Sequence, residues 1–363
     1  MKKIFASVPV WCRLVAVIFV LCGLCHLFAF FFTPFADFLN RTVSSGVRGA
    51  LALLTAVLPF SLAEMLLLTL PLWLVGLLYG AYRASASREK GVRMLSCLLS
   101  VVMLVYCLFF FTLGVGYRTT PLQEQLGLAE EPVNAEQLQQ TALWLREEVN
   151  RLAPDFETDE NGSSVSPLTF RETAESLLAV YGRMAEQYPF LSYAYSRPKP
   201  VLLSEPMSYT NITGVYSFFT GEANINVDYP AYTIPYTMAH ELAHQRGIIR
   251  ENEANYMAFL ICIQSEEPYI RYSGYVSLLE YVMNALAAAD SEKFAGVYAG
   301  YEECVRAEMQ AYNAYWYAHQ HEVVSNISGS INDTYLKING TPGSVSYGLV
   351  VDLAVAYYEQ EIR

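Results

Sequence analysis

The chain has 363 residues, of which 53% are apolar and only 16% charged, with a formal net charge of −12. An ordinary soluble domain carries roughly a quarter charged residues, so this composition excludes a wholly soluble protein as the simplest reading. The charge is also divided: residues 1–118 hold ten Lys/Arg against three Asp/Glu and residues 119–363 hold 13 against 32, so the acidic C-terminal part excludes nucleic acid as a partner.

Three apolar runs reach the ~20 residues that a membrane helix needs. They cover about residues 14–35, 60–82 and 94–117, and the spacing predicts three transmembrane helices in a membrane domain of residues 1–118. The first run is too long for a cleaved signal peptide and reads as an anchor. The second, within Leu51 to Tyr82, contains Pro59, Glu64 and Pro71 and is expected to start as a short surface helix. Glu64 reads as a residue near the membrane interface and His26 as a packed or partnered histidine. Lys2, Lys3, Arg13, Arg83, Arg88, Lys90 and Arg93 fall on one side of the spans, and Arg41, Arg48 and Arg118 on the other. The basic side is cytoplasmic by the positive-inside rule, which predicts a multi-pass plasma-membrane protein with residues 119–363 outside the cytoplasm.

An acidic linker with Glu124, Glu130 and Glu131 is expected next. Leu138, Leu143, Leu145 and Val149 mark an amphipathic helix from about Asn134 to Leu152. A polar loop follows from Asp155 to Ser166. Thr169 and Glu172 have capping-box spacing for a helix ending near Tyr188. Residues 200–229 are rich in Val, Ile, Tyr, Phe and Thr and punctuated by Gly214 and Gly221, which predicts a small sheet or hairpin. Gly221 to Val227 is expected to be its edge strand, with Glu222, Ala223 and Asn224 against a substrate backbone. From Pro235 to about His321 the pattern is helical. A polar stretch with Asn326, Asn332, Asn339 and Gly340 interrupts it, and a last helix is expected from about Val345 to Glu361. His319 and His321 read as surface residues. Of the seven cysteines, five lie in apolar segments, and only Cys262 and Cys304 could pair in an oxidising compartment.

The chemistry-bearing stretch is His240-Glu241-Leu242-Ala243-His244. Residues four apart share a helical face, so both imidazoles can reach one zinc ion, and Glu241 can take a proton from water beside it. Gly247 is placed to end that helix. A third ligand is expected from Glu251-Asn252-Glu253-Ala254-Asn255, where Glu251 and Glu253 are both candidates. Tyr272, Arg271, Tyr335 and Lys337 are candidates for stabilising an oxyanion, with Tyr272 foremost. The Glu-x-x-Ala-Asn pattern resembles the Glu-x-x-Ala-Asp of the membrane-bound gluzincin peptidases, the group of the CAAX prenyl endopeptidase. The resemblance implies Glu251 as the ligand and Asn255 as the residue that orients a ligand histidine.

Ser217 to Asn226, Arg271-Tyr272-Ser273-Gly274-Tyr275 and Asn332 to Lys337 extend the resemblance over about residues 195–350. Together with His-Glu-Leu-Ala-His-Gln they resemble the bacterial family named domain of unknown function 3810, whose members are regarded as zinc-dependent membrane proteins. The fold expected is mainly α (α+β): three transmembrane helices, then a gluzincin-like metallopeptidase domain with a small β-sheet and the His-Glu helix. The expected activity is hydrolysis of a peptide or protein substrate beside the lipid bilayer, with one zinc per chain and Glu241 as general base. Two other outcomes are a sensor or binding module with inactive or structural zinc, and a zinc amidase acting on non-protein envelope material.

Overall fold

The computed structural model describes residues 7–128, 133–192 and 196–363, so Lys2, Lys3, Glu130 and Glu131 lie outside the described residues. The protein is mainly helical, with one three-stranded sheet. The N-terminal part runs α1 (Val10–Phe31), α2 (Thr33–Leu39), a π-helical turn (Asn40–Ser44), α3 (Ser45–Ala56), α4 (Leu62–Leu68), α5 (Leu70–Ala84) and α6 (Arg88–Thr112).

Two of these helices, α1 and α6, are long and apolar enough to cross a membrane. Their outward faces leave Leu14, Val17, Leu21, Leu24, Leu95, Leu99 and Val102 exposed, a surface suited to lipid and costly in water. The expected middle span is not one helix. It is the pair α4 and α5, bent by 54° at Thr69. Thr69 turns its hydroxyl back onto the carbonyls of Met65 and Leu66, and Pro71 in the first turn of α5 has no N–H to continue the ladder. Side by side, α1 and α6 run parallel. The Cys12 and Cys97 sulfurs lie 4.0 Å apart, Cys22 meets Cys107, and His26 Nδ1 shares a 2.7 Å hydrogen bond with the Tyr106 hydroxyl, so the partners advance together along both helices. His26 also stacks on Phe110, so it is partnered as expected.

After a 3-10 turn (Gly114–Arg118) come α7 (Leu122–Leu126), α8 (Ala135–Leu152) and α9 (Phe170–Gln187). Capping boxes open both long helices, Asn134 with Gln137 and Thr169 with Glu172. The sheet contains β1 (Lys199–Pro200), β2 (Gly214–Ser217) and β3 (Glu222–Ile225), with α10 (Ser204–Ser208) between β1 and β2. The rest is helical: α11 (Thr233–Gln245), α12 (Glu251–Ile263), α13 (Pro268–Ala289), α14 (Ser291–Ala299), α15 (Glu303–His319), α16 (Glu322–Ile338) and α17 (Val350–Tyr357). One apolar core joins α8, α9, α11, α12, α13 and α17. Its members Leu145, Leu177, Leu242, Phe259, Val282 and Ala354 are fully buried.

Several expectations change here. The strand order is β1-β3-β2, so β3 is the centre of the sheet and β2 an edge. The helix does end near His321, at His319, and Asn339 and Gly340 end the next one, but Asn326 and Asn332 sit inside α16, whose buried Leu336 holds it down. The last α-helix starts at Val350, because Gly343–Leu349 forms a 3-10 turn. Cys262 and Cys304 are free thiols. His319 is partly buried, not a surface residue, and its Nε2 lies 3.5 Å from Asp228 Oδ2.

The sheet is fastened to the N-terminal part by buried charge. Glu222 is fully buried, and its two oxygens accept the Leu62 and Ala63 backbone N–H groups, each at 2.9 Å. The Lys199 ammonium donates to Glu222 at 2.6 Å and to the carbonyls of Thr55 and Phe60. In return Glu64 accepts the backbone N–H groups of Leu202 and Leu203 at the start of α10. Pairing both charges and satisfying their remaining hydrogen bonds is what makes such burial tolerable.

Candidate metal centre

His240 and His244 sit one turn apart on α11, and their rings meet edge to face with centroids 4.6 Å apart. The helix ends in a Schellman turn: the Ile248 N–H reaches the Ala243 carbonyl and the Gly247 N–H the His244 carbonyl. Gly247 takes φ 89° there, as only glycine readily does. That turn aims the Ile248 carbonyl at His244 Nδ1, 2.8 Å away, which leaves Nε2 facing the site. It is also braced from the N-terminal part. Asn40 Nδ2 donates to the Gly247 carbonyl, and a Cβ on Gly247 would lie 2.4 Å from the Arg48 guanidinium.

Only Arg246 to Arg250 separate the two helices, and α12 opens directly with Glu251. Its Oε2 lies 3.2 Å from His240 Nε2 and 3.6 Å from His244 Nε2. One ligand atom from each of the three residues falls within 4.8 Å of the others. Two imidazole nitrogens and a carboxylate oxygen, converging and largely buried, are a donor set that fits a zinc ion with an open position. Burial opposes charge on His244, but the Glu251 carboxylate overrides it and pushes the imidazole up to about 9. Burial likewise raises Glu251, and the two imidazoles more than offset it, holding the acid well below the usual carboxylate range.

Glu241, next to His240 on α11, lies within the field of both histidines and Glu251. Burial raises its pKa above the ordinary value, with the histidines pulling the other way. Its Oε2 is buried without a hydrogen-bond partner, and the Tyr216 backbone N–H points at the carboxylate. Gly214 presses against it, so the strand along the helix is β2. The ladder pairs Thr213 with Asn226, which leaves the backbone groups of Gly214 and Tyr216 facing away from β3.

The other residues singled out in the sequence separate into those beside this group and those away from it. Glu253 is not with the ligands: it accepts the Leu122 backbone N–H at 2.9 Å and Arg250 at 2.8 Å, tying α7 to α12. Asn255 does not touch a histidine; its amide donates to the Tyr281 hydroxyl and its carbonyl accepts from Tyr236. The Tyr272 hydroxyl donates to the buried Glu308 at 2.7 Å and is committed to the core. Arg271 binds the carbonyls of Ser265 and Glu266, and Lys337 pairs with Asp333. Tyr335 is different. It lies within the field of Glu251, receives a hydrogen bond from Tyr117, and is pushed up to about 12 by burial. Glu222 is spent on Lys199 and α4, and Ala223 is fully buried. The Asn224 amide donates to the Val215 and Glu222 carbonyls. All three side chains are buried, and the backbone of a central strand has no free edge for a substrate. What the sequence reading missed was that β2 is the edge strand beside Glu241, and Tyr281, which lies within the field of Glu251 and accepts a hydrogen bond from Asn255.

The family model described as "Protein of unknown function (DUF3810)" matches residues 40–355, and the chain belongs to that family. No curated protein and no solved structure matches it.

Proposed function

We propose that this protein is an integral membrane zinc hydrolase, and that it cleaves peptide bonds. The observation that carries the proposal is the convergence of His240, His244 and Glu251 on one point, with the buried Glu241 carboxylate beside it. Zinc bound there would polarise a carbonyl and lower the pKa of a water toward ~7. Glu241 takes the proton of the attacking water and returns it to the leaving amine. Its raised pKa suits both steps, since a base must hold the proton long enough to pass it on. Tyr335, within the field of Glu251, is the hydroxyl we assign to the developing oxyanion. The outer edge of β2, apart from the Tyr216 N–H aimed at Glu241, offers main-chain groups to an extended substrate, which favours a peptide over other amides.

The membrane reading rests on α1 and α6. Because they run parallel, residues 32–87 must return from one end of the pair to the other, and the bent α4–α5 pair is the segment available to cross. That gives three crossings. With the basic loop on the cytoplasmic side, it also gives an extracytoplasmic catalytic part. The test is Glu241→Gln, measured against a peptide library: turnover should fall by about a thousandfold while zinc content stays near one per chain. Undiminished turnover in the variant would refute the mechanism.

A further inference from the structure

Where α1 and α6 end together, the surface opens into a cleft of about 580 Å³. Its wall includes Phe30 and Pro34 from the N-terminal part, Arg118 and Glu124 from the segment after α6, and Arg250 from the start of α12. The wall carries two guanidinium groups and one carboxylate, Glu124. Arg250 is already committed, to Glu253 and to the carbonyls of Tyr117 and Thr119. Arg118 is not: its guanidinium lies over the Phe30 ring at 4.6 Å, and it has no protein hydrogen-bond acceptor among the described residues. The Thr119 and Thr120 hydroxyls donate to Gly116 and Asp37, whereas Thr33, also on the wall, has no protein partner among the described residues. A charged arginine beside an apolar ring, at the level where membrane helices end, calls for an anion that carries hydrocarbon. The cleft is far larger than the ~10–15 Å³ of such space that one water needs, so a bare anion would leave it largely filled with solvent.

We propose that this cleft binds the phosphate of a phospholipid headgroup, with Arg118 as its counter-ion, the Thr33 hydroxyl as a donor, and the acyl chains running along Phe30 and α1. The inference rests on α1 and α6 as membrane spans; failure of that reading would show separately, as a chain that is soluble without detergent. Beside Arg250, the neighbour of Glu251, the lipid would hold the metal-bearing helix hairpin at the membrane surface.

The test uses the full chain in a neutral detergent, titrated with short-chain phosphatidylglycerol, with the matching diacylglycerol lacking phosphate, and with inorganic phosphate. Phosphatidylglycerol should raise Tm saturably, and the other two should not. Arg118→Gln should weaken that response about tenfold and leave Tm without lipid unchanged. Equal stabilisation by the diacylglycerol or by inorganic phosphate would overturn the proposal, and so would an unaltered response in Arg118→Gln. If the variant does not fold, the three-ligand series on the wild type decides alone.

Discussion

A Cβ on Gly214 would lie 2.7 Å from Glu241 Oε1 and 2.8 Å from Glu241 Cγ, so the edge strand and the proposed base touch with no room for a methyl group. The same methyl would meet Thr237 at 2.8 Å, which closes the other way out. Gly214→Ala should therefore displace the carboxylate or the strand. We expect a loss of about 1–3 kcal/mol in stability and at least a tenfold loss of turnover, with zinc content unchanged. Peptide turnover and metal analysis on the same preparation check this. Full activity in the variant would mean that Glu241 does not work from this position.

Zinc affinity should depend on pH through His244. In the metal-free protein Glu251 holds that imidazole up to about 9, above its ordinary 6.5, so zinc must displace a proton near neutrality. Apparent affinity should rise by about tenfold per pH unit from pH 7 and flatten above about 9. Stability of the metal-free protein should run the other way. The folded value is raised, so the His244–Glu251 contribution is complete below 6.5 and is lost as pH rises toward about 9. Competition titrations and thermal melts across that range read both effects, and an affinity independent of pH would contradict the arrangement.

Lys199 and Glu222 should behave as one unit. Removing either charge strands the other in a buried site, so Lys199→Met and Glu222→Gln should each cost about 3–5 kcal/mol. The double variant should cost less than the sum of the two. Additive losses in denaturant melts would show that the two groups act separately.

The parallel pairing of α1 and α6 can be read by cross-linking. A mild thiol oxidant in the membrane should join Cys12 to Cys97, whose sulfurs are 4.0 Å apart, and should leave Cys12 unjoined to Cys107. Peptide mapping reads the product. A Cys12–Cys107 link would make the helices antiparallel and remove the argument for a crossing by α4 and α5.

Local signals carried most of what the sequence revealed. The spacing of His240 and His244, the glycine at 247 and the box at Thr169 each act within one turn of chain, and each stands where its chemistry puts it. Glu251 lies against both histidines because a five-residue connection leaves it little choice. Long-range facts were not legible. Strand order decides which strand is the edge, and β1 pairs in parallel with β3 from more than twenty residues away, so Glu222 reads as an edge residue facing a substrate and is buried in fact. Asn255 lies on the helix of Glu251 and Tyr272 on the one after it, yet their partners, Tyr281 and Glu308, come from sequence positions that no spacing rule connects to them. The bend at Thr69 is similar: hydropathy averages over a window and does not register a single broken turn.

The most direct measurement is the zinc content of the purified full chain, compared with His244→Ala, Glu251→Gln and Glu253→Gln. The account predicts about one zinc per wild-type chain, loss in the first two variants, and retention in Glu253→Gln, whose carboxylate serves Leu122 and Arg250 instead. A wild-type chain that takes up no zinc when it is supplied, or a Glu251→Gln variant that keeps it as tightly as the wild type, would contradict the account.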